Sequence, residues 1–324
     1  MGWTWTILGI LVGLVLIDFV VRLVIVRVVV GLFEKMPSFG VSPGKPQSDA
    51  ECLEFPTSHG LTLRGSLYRP KQMAPRGLII FCPETGGNHW LAMEYAAGMV
   101  DAGFAVFAFD FRNQGDSDCM PEYEPAHWPT AFELTDALAA IDFIREQPGM
   151  QSLPVGLLGV SRGAVVALGA ASRRPVVQSV ACDSAFSTDI LMAFYAQRWA
   201  SLYVPAWLLR IVPDWHVRGT CVMIRWFSQY KRHVRYIVIE RGFRRLKSKS
   251  ILLVSGSRDS YVPVAVAQQL QKRIGDHCQL WVVKGAKHNR GRVTDPEKYD
   301  QQLGEFFNQM VDTIKTPQTD TTRV

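Results

Sequence analysis

The pentapeptide Gly159–Gly163 constrains the fold of this 324-residue chain more than any other feature of it. It reads G-x-S-x-G around Ser161, and it stands between an apolar run, Val155–Val160, and an alanine-rich segment, Ala164–Ala171. The pattern predicts a buried strand that ends in a sharp turn and continues at once as a helix. A serine on such a turn holds its hydroxyl out of the sheet, and glycines flank it because side chains there would collide with neighbouring backbone.

Two later loops carry side chains that a serine nucleophile needs. The apolar run Ile251–Val254 leads to Asp259, and a second run, Gln279–Val283, leads to His288. Because the carboxyl ends of parallel strands meet at one edge of a sheet, we expect these loops to lie together. His288 would then take the serine proton, and Asp259 would fix the imidazole tautomer and stabilise the imidazolium.

Other interpretations of these residues remain open from the sequence. Asp183 also follows an apolar strand candidate, Val176–Cys182, and is a rival to Asp259 as the acid. Ser161 could be an ordinary helix N-cap, a position where serine is favoured. The side chain of Arg162 could bind a substrate carboxylate or pair with a nearby acidic residue.

A further motif carries a resemblance to a known superfamily. Asp110–Ser117 reads D-x-R-x-x-G-x-S. Together with the serine, aspartate and histidine motifs, which follow it in the order typical of the superfamily, it makes the chain resemble the α/β-hydrolases from Glu51 to Ile314. The resemblance is to the lidded single-domain serine hydrolases, which include esterases and thioesterases. The resemblance implies an α/β fold with a mostly parallel eight-stranded sheet, helices on both faces and a helical lid insertion. Asp110, Arg112 and Ser117 are expected to brace a turn.

The resemblance also implies an oxyanion hole made of two backbone N–H groups. One is expected from Arg162, the residue after the nucleophile. The other is expected from the loop after the strand Gly77–Cys82, where Thr85 and Glu84 are the candidates. A glutamate beside a hole for an anion is unexpected, so the Glu84 side chain should point away or pair with a base.

The N-terminal region has a different character from the rest of the chain. Trp3–Val30 is almost wholly apolar and is long enough to cross a bilayer. Asp18, Arg22 and Arg27 interrupt it, and Asp18 and Arg22 could pair because they lie four residues apart. We predict a membrane anchor over residues 1–36, a linker over 37–50, the α/β-hydrolase domain over 51–315 and a disordered tail over 316–324. A buried or peripheral amphipathic helix is the alternative for the anchor. Basic residues follow the apolar run and none precedes it, which predicts a catalytic domain on the cytoplasmic side.

Residues 184–249 are too long for an ordinary loop and form the predicted lid. They carry 12 Lys and Arg against 3 Asp and Glu, so the rest of the chain is net acidic. A solvated basic face, attraction to anionic lipid headgroups and recognition of an acidic or acyl-CoA-like substrate each explain this charge. Two helices, Leu191–Ile211 and Cys221–Ile239, are predicted within the insertion.

The sequence predicts a membrane-anchored serine hydrolase that cleaves a carboxylic ester or thioester through an acyl-enzyme on Ser161. The substrate is expected to be a small or lipid-like acyl compound. An acyltransferase with the same triad and a non-catalytic membrane-bound binding protein are the alternatives. No metal and no organic cofactor are expected, because the sequence has no C-x-x-C pair, zinc-ligand spacing or phosphate-binding glycine loop. Nucleic-acid binding is not expected, because no reader motif accompanies the basic charge.

Overall fold

The computed structural model describes residues 2–35, 41–203, 205, 207 and 211–315. The predicted tail, 316–324, and the first part of the predicted linker lie outside these residues. The chain forms two compact units, one of Met1–Pro37 with Leu191–Tyr236 and one of Ser38–Ile190 with Ile237–Val324.

The strands and helices follow one another as the sequence pattern predicts. The strands are β1 (Glu51–Pro56), β2 (Thr62–Tyr68), β3 (Leu78–Cys82), β4 (Ala105–Phe109), β5 (Val155–Val160), β6 (Val177–Asp183), β7 (Ser250–Gly256) and β8 (Cys278–Val283). The helices are α1 (Gly2–Glu34), α2 (Ala92–Asp101), α3 (Ala131–Glu146), α4 (Arg162–Ala171), α5 (Thr188–Tyr203), α6 (Asp214–Arg232), α7 (Phe243–Leu246), α8 (Val264–Ile274), α9 (Gly291–Thr294) and α10 (Pro296–Lys315). Short 3₁₀ turns cover His89–Leu91 and Ile239–Gly242.

The second unit is built on one eight-stranded sheet with the order β1-β2-β4-β3-β5-β6-β7-β8. Strand β2 is antiparallel to both β1 and β4, and every other neighbouring pair is parallel. The mostly parallel eight-stranded sheet is therefore as predicted, and β1 and β2 form an antiparallel hairpin at its edge. Strands β5, β6 and β7 end at the same edge, which brings the loops after them together.

Helices cover both faces of this sheet, which explains why its central strands are apolar throughout. Side chains alternate along each strand: Phe107 in β4 contacts Phe143 of α3, whereas Val106 joins the core cluster that contains α2 and α10. In β5, Gly156 approaches Phe307 of α10. The amphipathic helix α10 contributes the apolar residues that pack on this side, which are Tyr299, Leu303, Phe306, Phe307, Met310 and Val311.

The first unit pairs the apolar helix α1 with α6. Three α1 side chains at helical spacing, Val26, Val30 and Phe33, are buried, and Phe33 makes an edge contact with Tyr236 at a centroid distance of 5.5 Å. Glu34 accepts hydrogen bonds from Ser228 (2.8 Å) and Lys231 (2.7 Å). The covered stripe of α1 therefore lies in its C-terminal half.

Polar contacts continue this pairing into the apolar run. Asp18 accepts a hydrogen bond from Arg22 (2.8 Å), as the spacing predicts, and its other oxygen lies 2.6 Å from Nε2 of His216. Arg22 also stacks over Trp215 at 5.7 Å from the ring centroid. The charges of Asp18 and Arg22 inside the apolar sequence thus have partners on α1 and α6.

The helix predicted over Cys221–Ile239 has different bounds in the structure. It begins at Asp214 behind Pro213, and it ends at Arg232 because His233 adopts the left-handed conformation with φ of +52°. Its last turn is closed by the His233 N–H, which donates to Gln229 and Tyr230 carbonyls. Of the helix predicted over Leu191–Ile211, the structure forms α5, and residues 204, 206 and 208–210 lie outside the described part of the chain.

Candidate active site

Ser161 lies on the turn between β5 and α4 in a strained conformation, with φ of +50° and ψ of −114°. Its backbone N–H donates to the carbonyl of Asp183 at 2.8 Å, which ties the turn to β6. A Cβ on Gly163 would lie 2.1 Å from the Cys82 carbonyl oxygen, and one on Gly159 would lie 2.5 Å from Ala164. Glycine is therefore required on both sides of the serine, and the strain is of the kind stored at functional sites.

The loops after β7 and β8 bring the predicted acid and base to this turn. Oγ of Ser161 lies 3.0 Å from Nε2 of His288, and Nδ1 of His288 lies 2.7 Å from Oδ2 of Asp259. Ser161 occupies the N-cap position of α4, but its side chain makes no capping hydrogen bond. The serine hydroxyl is thus directed at the histidine rather than at its own helix.

Asp259 is fixed independently of the histidine. Its other oxygen, Oδ1, accepts backbone hydrogen bonds from Tyr261 and Val262, both at 2.8 Å. The Asp259 side chain is fully buried, so these bonds form away from water. They leave Oδ2 free to receive the Nδ1 proton of His288, which selects the tautomer with an unprotonated Nε2 facing Ser161.

Asp183, the rival acid, is engaged elsewhere. Its carboxylate accepts hydrogen bonds from Tyr299 and Ser184, each at 3.1 Å. Burial raises the pKa of this carboxyl to about 6, although both hydrogen bonds oppose the shift. The structure therefore places Asp259 against His288 and leaves Asp183 beneath the site as a buried structural acid.

The loop after β3, which carries two of the three residues expected at the oxyanion hole, meets the serine turn at Gly163. Arg162 is the first residue of α4, so its N–H is one of the unpaired donors of that helix end. Cys82 and Pro83, which precede Glu84 and Thr85, lie against Gly163. The second donor must come from this β3 loop if the site holds an oxyanion.

The hydrogen-bond partners of the Glu84 side chain are a tyrosine and an asparagine, and neither is a base. The side chain is buried and accepts hydrogen bonds from Tyr95 (2.7 Å) and from the amide of Asn289. Burial raises the pKa of Glu84 above its ordinary value. Because Asn289 follows His288 directly, Glu84 connects the β3 loop with the histidine loop, a connection that the sequence did not reveal.

The Arg162 side chain is fully buried and pairs with an acid, one of the two predicted alternatives. It forms an ion pair with Glu133 of α3 and lies over Phe111 at 5.9 Å from the ring centroid. Glu133 also receives hydrogen bonds from Tyr123 and Thr130, and with Thr130 it forms the capping box of α3. Arg162 thus fastens the serine turn to the start of α3.

Asp110, Arg112 and Ser117 brace the turn after β4. Asp110 accepts backbone hydrogen bonds from Asp116 and His89, Arg112 forms a buried pair with Asp136, and Ser117 donates to the Asp110 carbonyl at 2.9 Å.

One trio of possible metal ligands occurs among the described residues. It consists of His89, Asp110 and Asp116, whose ligand atoms lie within 4.8 Å of one another. Nδ1 of His89 is 2.8 Å from the Ser66 hydroxyl, and Nε2 is 3.2 Å from Asp116. These side chains are accounted for by hydrogen bonds within the protein and need no ion.

The eight-stranded sheet, the serine turn after β5 and the acid and histidine after β7 and β8 define the α/β-hydrolase class. Within that class, residues 73–291 match the family described as serine aminopeptidase, S33 (Hydrolase_4). The match covers more than half of the chain, and the protein therefore belongs to this hydrolase family.

Relatives in sequence include enzymes and uncharacterised proteins. The chain is 34% identical to thiohydrolase aneE of Aspergillus aculeatus over 122 residues, which are 37% of this chain and 36% of that protein. The chain thus spans well under half the length of the thiohydrolases it matches. An uncharacterized protein of Mycobacterium tuberculosis is 24% identical over 266 residues, 82% of this chain and 78% of the relative.

Solved structures share the fold at low sequence identity. An esterase of Pyrococcus furiosus, Pf2001, superposes with a TM-score of 0.61 at 22% identity, covering 86% of this chain and 99% of the esterase. Est1E of Butyrivibrio proteoclasticus, solved with ferulic acid, has a TM-score of 0.56 at 19% identity over 79% of this chain and 99% of Est1E.

Proposed function

We propose that this protein is a membrane-anchored serine hydrolase that cleaves a carboxylic ester or a thioester through an acyl-enzyme on Ser161. The observation that carries the proposal is the hydrogen-bonded series Asp259–His288–Ser161, with separations of 2.7 Å and 3.0 Å, on a strained turn. A serine in this setting has a base for its proton and an orienting group for that base.

The reaction follows from these positions. His288 Nε2 takes the Ser161 proton as Oγ attacks the acyl carbonyl, and Asp259 stabilises the imidazolium that forms. The N–H of Arg162, with that of Glu84 or Thr85, stabilises the oxyanion. Collapse of the intermediate releases an alcohol or thiol, which leaves with the proton from His288. Water then attacks the acyl-enzyme by the same steps, and the acid is released.

Esters and thioesters are favoured over peptides by the named relatives. Several of the matched proteins are thiohydrolases, and Pf2001, a solved structure with this fold, is an esterase. A panel of esters, thioesters and aminoacyl arylamides with graded acyl chains would decide the substrate class. Turnover of the arylamides alone would overturn the proposal and support an aminopeptidase.

A fluorophosphonate probe tests the nucleophile directly. We expect the full chain to label, Ser161→Ala to lose labelling, and Ser172→Ala to label like the unmodified protein. Ser172 is the matched control because it caps the other end of α4, where its hydroxyl donates to the Gly169 carbonyl. Equal labelling of Ser161→Ala would refute the mechanism, and a folded chain that never labels would favour a non-catalytic binding protein.

Acyl transfer with the same residues is a second candidate. The observation in its favour is a match to polyketide transferase claH of Penicillium crustosum, 29% identical over 125 residues, or 38% of this chain and 40% of the relative. Transfer differs from hydrolysis only in whether an alcohol or amine replaces water in the second step. Product analysis with and without an added acceptor separates the two activities.

The membrane anchor of this proposal is helix α1. Among the described helices, Trp3–Glu34 is the one that is long and apolar enough to cross a bilayer, a test that a signal sequence would also pass. Only 6% of its most apolar window is buried, unlike the core helix of a soluble protein. Arg27 lies near the end of the apolar run and Lys35 and Lys45 follow it, which favours a catalytic unit on the cytoplasmic side.

A further inference from the structure

Asn289, the residue directly after His288, is held at three polar groups by three other parts of the fold. Its backbone N–H donates to Oγ of Ser184 and its carbonyl accepts from the hydroxyl of Tyr95, each at 3.3 Å. Its side-chain amide donates to Oε2 of Glu84. Asn289 is buried, so these bonds form away from bulk water and fix the chain beside the histidine.

The backbone of Asn289 depends on this support. It adopts the left-handed conformation, with φ of +54°, which is uncommon for a residue other than glycine. Asn289 and His288 share a peptide bond, so a change in this conformation moves the imidazole as well. The contacts of Asn289 therefore bear on the 3.0 Å separation between Nε2 of His288 and Oγ of Ser161.

Glu84 joins this contact to the loop after β3. Its Oε1 accepts a hydrogen bond from Tyr95 at 2.7 Å, and the side chain is buried. Its own carbonyl accepts from the N–H of Gly87 at 3.1 Å, and Gly86 has φ of +74°, which is the pattern of a type II turn. This turn carries the N–H of Thr85, a candidate oxyanion donor. The Glu84 side chain thus connects the loop of the base with the loop of the expected second donor.

We propose, on the basis of the proposed function, that Glu84 is a positioning residue for His288. Its carboxylate holds the Asn289 amide by a hydrogen bond and so keeps the imidazole aligned with Ser161 during acyl transfer. A misplacement of about 1 Å at a reacting group can cost about 10²-fold in rate. Because Glu84 acts through Asn289 and not on the acyl group, its loss should lower kcat and leave KM nearly unchanged.

The Oδ1 atom of Asn289 makes the conservative variant informative. This atom is buried and has no hydrogen-bond partner among the described residues. In Glu84→Gln the Asn289 amide can turn over, so that Oδ1 accepts from the glutamine NH₂ and no existing bond at Oδ1 is lost. We therefore expect Glu84→Gln to keep kcat within about threefold of the unmodified chain, whereas Glu84→Ala removes the partner and loses roughly 10- to 100-fold.

Steady-state kinetics of the full chain on an activated ester measures these effects. Asp136→Asn is the matched control, because Asp136 is also a buried acid but pairs with Arg112 in the turn after β4. We expect this control to lower the thermal midpoint and to keep kcat within about threefold. Thermal unfolding confirms that each variant is folded. Glu84→Leu, which fills the space without an acceptor, takes the place of Glu84→Ala if alanine at this position prevents folding.

A double-variant cycle tests whether Glu84 acts through Asn289. Asn289→Gly removes the amide and supplies a residue for which φ of +54° is unstrained. In that background Glu84→Ala has no amide to release, so we expect it to cost less than about threefold in kcat. An undiminished cost in the Asn289→Gly chain would show that Glu84 acts by another route and would overturn the inference.

Two further results would overturn the positioning role while the proposed function stands. One is a kcat in Glu84→Ala equal to that of the unmodified chain. The other is a Glu84→Gln variant as slow as Glu84→Ala, which would mean that the charge and not the hydrogen bond is needed. A full chain that neither turns over esters or thioesters nor labels with the fluorophosphonate probe would refute the proposed function, and this inference with it.

Discussion

Asp259 and Asp183 show how two aspartates at adjacent strand ends take different roles. Two backbone N–H groups hold one oxygen of Asp259 and aim the other at His288. Asp183 instead faces Tyr299 and Ser184 in a fully buried position. The difference lies in the hydrogen-bond donors around each carboxylate and not in the strand that carries it.

Exchange of each aspartate for asparagine separates these roles. In Asp259→Asn the amide can no longer select the Nδ1–H tautomer or stabilise the imidazolium, so we expect kcat to fall by roughly 10³–10⁴-fold. Asp183→Asn is the matched control and should retain most of the activity. Steady-state kinetics on an activated ester measures both, and an equal loss in Asp183→Asn would contradict the assignment of the acid.

Asp183 should also make stability depend on pH. Burial raises its pKa from 3.8 to about 6, so the folded chain binds this proton more tightly than the unfolded chain does. Its contribution to the unfolding free energy is fully present below pH 4 and is lost as the pH rises to about 6, a difference of up to about 3 kcal/mol.

Asparagine at position 183 cannot ionise and should remove that slope. Denaturant unfolding between pH 4 and pH 7 measures the effect, and we expect Asp183→Asn to be more destabilising at pH 4 than at pH 7. An identical pH dependence in both proteins would show that Asp183 keeps an ordinary pKa when folded.

Between elements, the pair of Arg162 and Glu133 joins α4 to α3. Both side chains are buried, so removal of one leaves an uncompensated charge in the interior. We expect Glu133→Ala to lower the unfolding free energy by about 3–5 kcal/mol and to reduce probe labelling of Ser161, because the serine turn begins at Arg162.

A surface pair between the same two elements is the control for this prediction. Asp142 of α3 accepts a hydrogen bond from Arg174, just after α4, at 2.8 Å, and both side chains are partly exposed. Asp142→Ala should cost no more than about 1 kcal/mol. The double variant Glu133→Leu with Arg162→Met should recover much of the stability that Glu133→Ala loses. An equal loss of unfolding free energy in Glu133→Ala, Asp142→Ala and the double variant would refute a special role for the buried pair.

The strands, their order along the chain and the approach of Ser161, Asp259 and His288 could be predicted from the sequence. Apolar runs fix the parallel strands, and the ends of parallel strands meet at one edge. The partners of Arg162 and Glu84 could not be predicted, because each lies on a distant element brought near by packing. Thr130 and Glu133 do show the T-x-x-E capping signal, but this signal predicts the start of α3 and not the ion pair.

The predicted bounds of α6 were wrong for a second reason, which is the backbone conformation of a single residue. The apolar and aromatic residues after Arg232 resemble a continuation of the helix, and the stop depends on His233 in a left-handed conformation that glycine more often adopts. Likewise, the spacing of Asp18 and Arg22 predicts their pair, whereas His216, the other partner of Asp18, is 198 residues away.

At the scale of the whole molecule, the chain joins two compact units, and the N-terminal helix belongs to the core of one of them. Val26, Val30 and Phe33 of α1 supply buried apolar surface to that unit. A chain that begins at Ser38 therefore lacks part of this core, although it retains the sheet and the three site residues.

Limited proteolysis tests this dependence. We expect trypsin to cleave the chain that begins at Ser38 at Lys231 or Arg232, because α6 has lost the helix it packs on, and to spare the same sites in the full chain. A fluorescent-protein fusion at the C-terminus follows expression of both. Equal resistance of the two chains would show that α6 is stable without α1.

The contacts of Asp18 with Arg22 and His216 constrain how the sequence of this protein can evolve. A helix chosen only for hydrophobicity could attach the enzyme to a membrane, but it would leave His216 without its acidic partner. Substitutions at positions 18, 22 and 216 are therefore expected to be inherited together in descendants of this sequence. Helix α1 and the insertion after β6 are thus expected to evolve as one module, although six strands of the sheet lie between them in the sequence.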